Sequence, residues 1–171
     1  TTWGASNSGG TGGPTKTGFT AISSSSDAFA ALNSNGSISC WGATVSTQSA
    51  PTDYGYTAIY SKSDGFAAIK SNGTIVSWGY ASYGGTGEPT TTGFQTIYSN
   101  RYSYAALSTS GTITAWGAPS YGGTGAPTGT GFVAIYPNFD SYAALRSDGS
   151  IISWGMGGSG GTGDPTGTGF R

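Results

Sequence analysis

The chain has 171 residues, with Lys plus Arg 6, Asp plus Glu 7, no His and a formal net charge of −1. So few cations cannot line a phosphate-binding face, which argues against nucleic-acid binding, and without His the usual catalytic triads and histidine metal sites are excluded. One Cys, Cys40, forms neither an internal disulfide nor a cysteine metal cluster, and no apolar run approaches the ~18 residues of a membrane span.

Gly alone accounts for 32 residues, a composition that suggests low complexity, yet 5 Trp, 11 Tyr and 7 Phe with almost no net charge argue against disorder. The five Trp reveal the organisation. Trp3, Trp41, Trp78, Trp116 and Trp154 are separated by 38, 37, 38 and 38 residues, and each is followed by Gly.

The first unit, residues 1–19, is partial: Trp3-Gly4, a Gly-Gly-Thr-Gly run, Pro14-Thr15 and Gly18-Phe19. It opens at Thr1 with neither Met nor a cationic-then-apolar leader, as expected of a processed chain or an excised fragment. Four full units follow, over residues 20–56, 57–94, 95–132 and 133–170. Each begins with a short β-rich run (Ala21-Ile22, Ala58-Ile59, Thr96-Ile97, Ala134-Ile135). Next comes an aromatic residue followed by Ala-Ala-Leu or Ala-Ala-Ile, led by Phe29, Phe66, Tyr104 and Tyr142. A turn pair with Gly second (Asn35-Gly36, Asn72-Gly73, Ser110-Gly111, Asp148-Gly149) leads into the Trp-Gly strand. The stretch from Phe66 to Trp78 predicts two strands joined by a two-residue primed turn at Asn72-Gly73, with positive φ at both residues. The run ahead of it predicts a third strand, giving roughly three or four strands per unit, and no window shows helical spacing. The fold class is therefore all-β, a single domain over residues 1–171.

Alternation puts Val76 and Trp78 on one face and Ile75 and Ser77 on the other. The residue before each full unit's Trp is Cys40, Ser77, Ala115 or Ser153, always small, which predicts close packing where units touch and makes Cys40 a buried filler. Each Trp can bury ~150 to 250 Å², worth about 4 to 6 kcal/mol at most. That does not offset the entropy of ordering so much Gly in one isolated unit, so neighbours must stack.

The string from Tyr142 to Pro165, with its Ala-Leu, Asp-Gly, Trp-Gly and Gly-rich run, resembles a repeat of the regulator of chromosome condensation family. That family's members are β-propellers, seven-bladed in the founding protein, so the resemblance implies a propeller. The founding protein exchanges guanine nucleotide on a small GTPase and docks on chromatin, and no residue here matches either role. These repeats are shorter, carry Gly-Gly-Thr-Gly in place of the family's Gly-Gln-Leu-Gly and lack its His. They are more similar to the short Ser- and Gly-rich arrays of large algal and bacterial proteins.

The partial unit unbalances the chain: the Trp-to-aromatic segment occurs five times and the strands ahead of it four times. A closed ring of four would leave one segment over, so either the chain is part of a longer polypeptide or its blade edges pair with another copy or another protein.

Three of four units carry a carboxylate at one position, as Asp27, Asp64 and Asp140, with Tyr102 in the fourth. Such a ring of acids suits sugar hydroxyls or a cation; alternatively each accepts local backbone N–H bonds in an Asx-turn. Tyr83 and Tyr121 occupy equivalent loops, with Asn7 and Gly158 in their place elsewhere, and suit stacking on a sugar, a protein or a neighbouring blade. The Gly-rich runs lack the Lys and helix of a phosphate loop. Asn35 and Asn72 match the glycosylation sequon while also occupying hairpin turns. The segment 41–56 has lost its Gly-Gly-Thr-Gly and is expected to have diverged.

The expected protein is therefore a non-enzymatic structural or protein-interaction module at an extracellular or particle surface, without cofactor or metal. Its alternative is a lectin-like propeller binding carbohydrate once per blade.

Overall fold

The computed structural model describes residues 2–170, leaving out the side chain of residue 45; Thr1, where the partial unit opens, lies outside the described residues. Four three-stranded antiparallel sheets follow one another along the chain. Blade 1 comprises β1 (Phe19–Ser24), β2 (Ala28–Asn33) and β3 (Ile38–Gly42). Blade 2 comprises β4 (Tyr56–Lys62), β5 (Gly65–Lys70) and β6 (Ile75–Gly79). Blade 3 is built from β7 (Phe94–Ser99), β8 (Ser103–Ser108) and β9 (Ile113–Gly117), and blade 4 from β10 (Phe132–Pro137), β11 (Ser141–Arg146) and β12 (Ile151–Gly155). In each blade the second strand is central, and the first carries a register shift just after its opening aromatic residue, as between Phe94 and Thr96.

The two-residue turn is not what the hairpins use. Gly73 N donates to Lys70 O at 2.9 Å and Lys70 N to Thr74 O at 2.9 Å, which closes a three-residue loop. Only its Gly has positive φ, 79° at Gly73, so this is a type I turn ended by a left-handed Gly. Asn72 is selected differently: its Oδ1 accepts from Thr74 N at 3.0 Å, as Asn35 Oδ1 accepts from Ser37 N at 2.9 Å.

Period-two alternation gives each blade two apolar faces. The leading face carries a stacked aromatic pair, Phe29–Trp41, Phe66–Trp78, Tyr104–Trp116 or Tyr142–Trp154, with ring centres 5.0 to 5.5 Å apart. The trailing face carries Leu or Ile and the small residue before Trp. The trailing face of one blade packs on the leading face of the next: Leu32, Ile38 and Cys40 meet Phe66 and Trp78, and Leu107, Ile113 and Ala115 meet Tyr142 and Trp154. Cys40 fills this seam, where burial pushes its thiol up to about 12.

A 3-10 turn follows the last strand of blades 2, 3 and 4, over Ala81–Tyr83, Pro119–Tyr121 and Gly157–Ser159, and Ser6–Ser8 forms the same turn ahead of blade 1. Each turn ends in a Gly whose carbonyl can reach the next blade. Trp41 Nε1 donates to Gly9 O at 3.2 Å, Trp116 to Gly84 O at 3.2 Å and Trp154 to Gly122 O at 3.1 Å. Between blades 1 and 2 a short helix, α1 (Thr44–Thr47), replaces this turn, and the buried Trp78 indole N–H is left without an acceptor.

The outward faces of the first and last blades are only partly covered by this chain, the first by residues 4–12 against Phe29 and Trp41. Ile22 on the leading face of blade 1 is 65% exposed, whereas Ile97 and Ile135 are 2% and 1% exposed. On the trailing face of blade 4, Tyr136 is 61% exposed, whereas Tyr60 and Tyr98 are half-buried.

Candidate functional site

Strand direction places the turn between the first two strands of every blade at the same end as the 3-10 turns. All the candidate Asp and Tyr residues therefore lie on one face of the row, and Asn35 and Asn72 lie in exposed turns at the opposite end.

The tyrosines converge. Tyr83, Tyr102 and Tyr121 form a ladder with ring centres 4.6 and 4.5 Å apart, extended by Tyr80 at 4.9 Å from Tyr83. Tyr102 comes from the strand-linking turn of blade 3, while Tyr83 and Tyr121 end the 3-10 turns of blades 2 and 3. Arg101 continues the stripe, its guanidinium 4.7 Å from the Tyr102 ring centre and 4.9 Å from that of Phe139. Tyr80 and Phe139 are exposed, so the stripe offers open aromatic surface across three blades. Loop equivalence, set by the left-handed Gly that ends each turn, places Ser8 and Ser159 opposite Tyr83 and Tyr121, correcting Asn7 and Gly158 by one position.

The aspartates do not converge. Among the described residues no three His, Cys, Asp or Glu side chains come together as metal ligands. Asp27 Oδ1 accepts from Ser46 Oγ at 2.6 Å and Ser25 Oγ at 3.2 Å, fastening α1 to blade 1. Asp140 Oδ2 accepts from Ser159 Oγ at 3.3 Å. What the position shares is a backbone role: the carbonyls of Asp27, Asp64, Tyr102 and Asp140 accept from Ala43, Tyr80, Ala118 and Met156 N at 2.9 to 3.2 Å.

The Asx-turn belongs two residues earlier. Asn100 Oδ1 accepts from Tyr102 N, Ser103 N and Ser103 Oγ at 2.8 to 3.0 Å, while its Nδ2 donates to Tyr121 O at 2.6 Å. Asn138 repeats this set with Asp140 N, Ser141 N, Ser141 Oγ and Ser159 O. These two residues hold each 3-10 turn against its own blade, and an Asn four residues before an aromatic was the sequence signal for them.

Blade 2 carries Lys62 at that position. Its ammonium lies 5.8 Å from the Tyr83 ring centre and 5.3 Å from that of Tyr104, and it is 7% exposed without a hydrogen-bond partner. Burial lowers its pKa to about 8, with Asp64 opposing the shift. The stripe thus presents aromatic faces and the exposed Arg101 guanidinium, a surface suited to binding by stacking and cation–π contact, with the Lys62 ammonium buried beneath it.

No family model and no curated protein matches the chain. Solved structures do match in fold. The ectodomain of the receptor kinase ACR4 from Arabidopsis thaliana aligns with a TM-score of 0.62 at 19% identity, covering 90% of this chain and 54% of that one. Prp20p from Saccharomyces cerevisiae, described with its binding to Gsp1p and histones, aligns with a TM-score of 0.57 at 16% identity over 79% of this chain and 43% of its own. Human WBSCR16 gives 0.51 at 14% identity over 80% and 47%. The chain thus spans about half the length of these propellers, and its architecture is that of a run of β-propeller blades.

Proposed function

We propose that the protein is a non-enzymatic assembly module that joins other protein through the two open ends of its blade row, as part of a surface coat, fibre or scaffold. One observation carries this reading: Ile22 is 65% exposed where the equivalent Ile97 and Ile135 are 2% and 1% exposed inside internal seams. An apolar concavity of about 290 Å³ lined by Trp3, Ile22, Phe29 and Trp41 marks the same end, and one of about 280 Å³ lined by Tyr136, Leu145, Ile151 and Phe170 marks the other. Exposed faces built like internal seams are interaction surfaces. That Prp20p binds Gsp1p and histones supports an interaction role for this architecture. Sparse charge and abundant Gly, Ser and Thr fit a surface location, and glycan mass on Asn35 or Asn72 in native material would show a secretory route.

The test is Ile22→Asp, read by sedimentation velocity. The variant should melt like the parent, because Ile22 is already open in the single chain, yet lose the larger particle. A particle mass indifferent to this substitution would overturn the reading.

The tyrosine ladder favours a second reading, a lectin-like surface on which sugar rings stack along Tyr80, Tyr83, Tyr102 and Tyr121. A glycan array with the parent and Tyr102→Ala tests it: selective binding lost in the variant supports it, and an empty array removes it.

A further inference from the structure

We propose that the two open ends recognise each other in separate copies of this chain, with residues 155–163 of one copy displacing residues 4–12 of the next from blade 1. The inference rests on the assembly reading and names its partner and register.

Three internal seams supply the pattern. In each of the two that keep the 3-10 turn, the turn ends in a Gly pressed against the next blade's aromatic pair. A Cβ on Gly84 would lie 3.0 Å from Tyr104 Cδ2, and one on Gly122 would lie 2.8 Å from Tyr142 Cδ2. Each Gly also gives its carbonyl to an indole, as described above. The turn after blade 4 repeats this geometry, with Gly160 at φ 87°. No blade of the same chain faces it: Gly160 is exposed, and a Cβ there would approach nothing closer than 3.9 Å. Its carbonyl is the counterpart of those that accept from Trp116 and Trp154.

The matching receptor is the leading face of blade 1, with Phe29, Trp41 and the open Ile22. Its outer part is occupied by the chain's own residues 4–12, whose Gly9 takes the Trp41 bond at 3.2 Å and whose Cβ position lies 2.5 Å from Phe29 Cδ2. The two segments are nearly the same sequence. Residues 7–19 and 158–170 are identical at ten of thirteen positions.

They differ in how they are held. The turn at Gly157–Ser159 is fixed to its own blade, because Asn138 Nδ2 and Ser141 Oγ each donate to Ser159 O at 2.7 Å and Met156 N donates to Asp140 O at 3.2 Å. The turn at Ser6–Ser8 has no such blade behind it; its described bonds are internal, from Ser8 N and Gly10 N to Ala5 O, beside the single clasp from Trp41. A second copy therefore brings a preorganised turn together with the whole trailing face of blade 4, including Tyr136 and Leu145, whereas residues 4–12 bring the turn alone. The internal segment keeps the advantage of tethering, so the exchange depends on concentration.

Exchange makes a prediction that simple end-to-end sticking does not: the same substitution at two equivalent glycines acts in opposite directions. Gly160→Ala leaves the single chain unobstructed but puts a methyl against Phe29 and Trp41 of the next copy, so it should weaken self-association at least tenfold. Gly9→Ala loosens the resident segment and should strengthen self-association several-fold. Gly163→Ala, at φ 85° with open space around it, carries the same backbone strain and should change nothing. The experiment is sedimentation equilibrium on the full chain and these three variants, with circular dichroism to confirm folding. If the parent associates and the Gly9 and Gly160 variants shift together or not at all, the exchange is wrong while assembly stands. A parent chain that stays single at every concentration overturns both.

Discussion

The indole Nε1 of Trp154 donates to the carbonyl of Gly122 at 3.1 Å, fastening blade 4 to the turn that ends blade 3. Trp78 occupies the equivalent place in blade 2 and makes no such bond, because α1 has replaced the turn that would supply the acceptor. The pair separates the hydrogen bond from the ring. Trp154→Phe loses buried area and leaves Gly122 O unpaired, whereas Trp78→Phe loses area and removes an orphaned donor. Trp154→Phe should destabilise by about 1 to 2 kcal/mol more than Trp78→Phe in urea unfolding; equal losses would deny the clasp its role.

Close approach at the same seam has its own test. Gly122→Ala and Gly125→Ala share a left-handed backbone, at φ 87° and 79°, but only Gly122 faces a ring, with a Cβ 2.8 Å from Tyr142 Cδ2. Strain should cost both about 1 kcal/mol, and overpacking should add about 1 to 3 kcal/mol at Gly122 alone. Melting temperatures of the two variants read the difference.

Lys62 gives a pH dependence. Its folded pKa is about 8, below the usual lysine value, so the charged form is penalised in the fold. The unfolded chain binds more protons between pH 8 and the ordinary lysine range near ~10.4, and stability therefore rises with pH across that window. The full penalty, on the order of 3 kcal/mol, is present below pH 8. Lys62→Met should be more stable than the parent at pH 7 and should lose the rise above pH 8. Tyr104 and Tyr142, whose pKa values burial raises, oppose the trend only above the ordinary tyrosine range. Urea titrations at several pH values check both points.

Asn100 should matter more than any of the repeated aspartates. Asn100→Ala removes an acceptor of three bonds and the donor to Tyr121 O, and should cost about 2 to 3 kcal/mol. Asp140→Ala removes one long bond from Ser159 Oγ and should cost less than about 1 kcal/mol. Chemical denaturation of the two variants decides the ranking.

Trp spacing and period-two alternation gave the four full repeats, the all-β class and the opposite faces of Trp78 and Ser77, while the count of three strands in each blade comes from the structure. Cys40 and Ala115 stand in seams because only small side chains let the next blade's aromatic pair approach. Asn-Gly suits a two-residue primed turn, but here Asn72 acts through its side-chain oxygen in a three-residue loop. The aspartates drew attention because they recur, yet their backbone carbonyls do the shared work and any residue supplies those, as Tyr102 shows. Tyr102 meeting Tyr83 and Tyr121 was not legible, since it depends on two kinds of turn sharing one end of the sheets. Lys62 was hidden because it stands where blades 3 and 4 have Asn.

The central claim is that the open ends join separate chains, and light scattering coupled to size exclusion, with intact mass on the same peak, tests it most directly. The account predicts a particle of at least twice the 17.0 kDa chain mass, built from chains of unchanged covalent mass. A peak that stays at 17.0 kDa as concentration rises would contradict it.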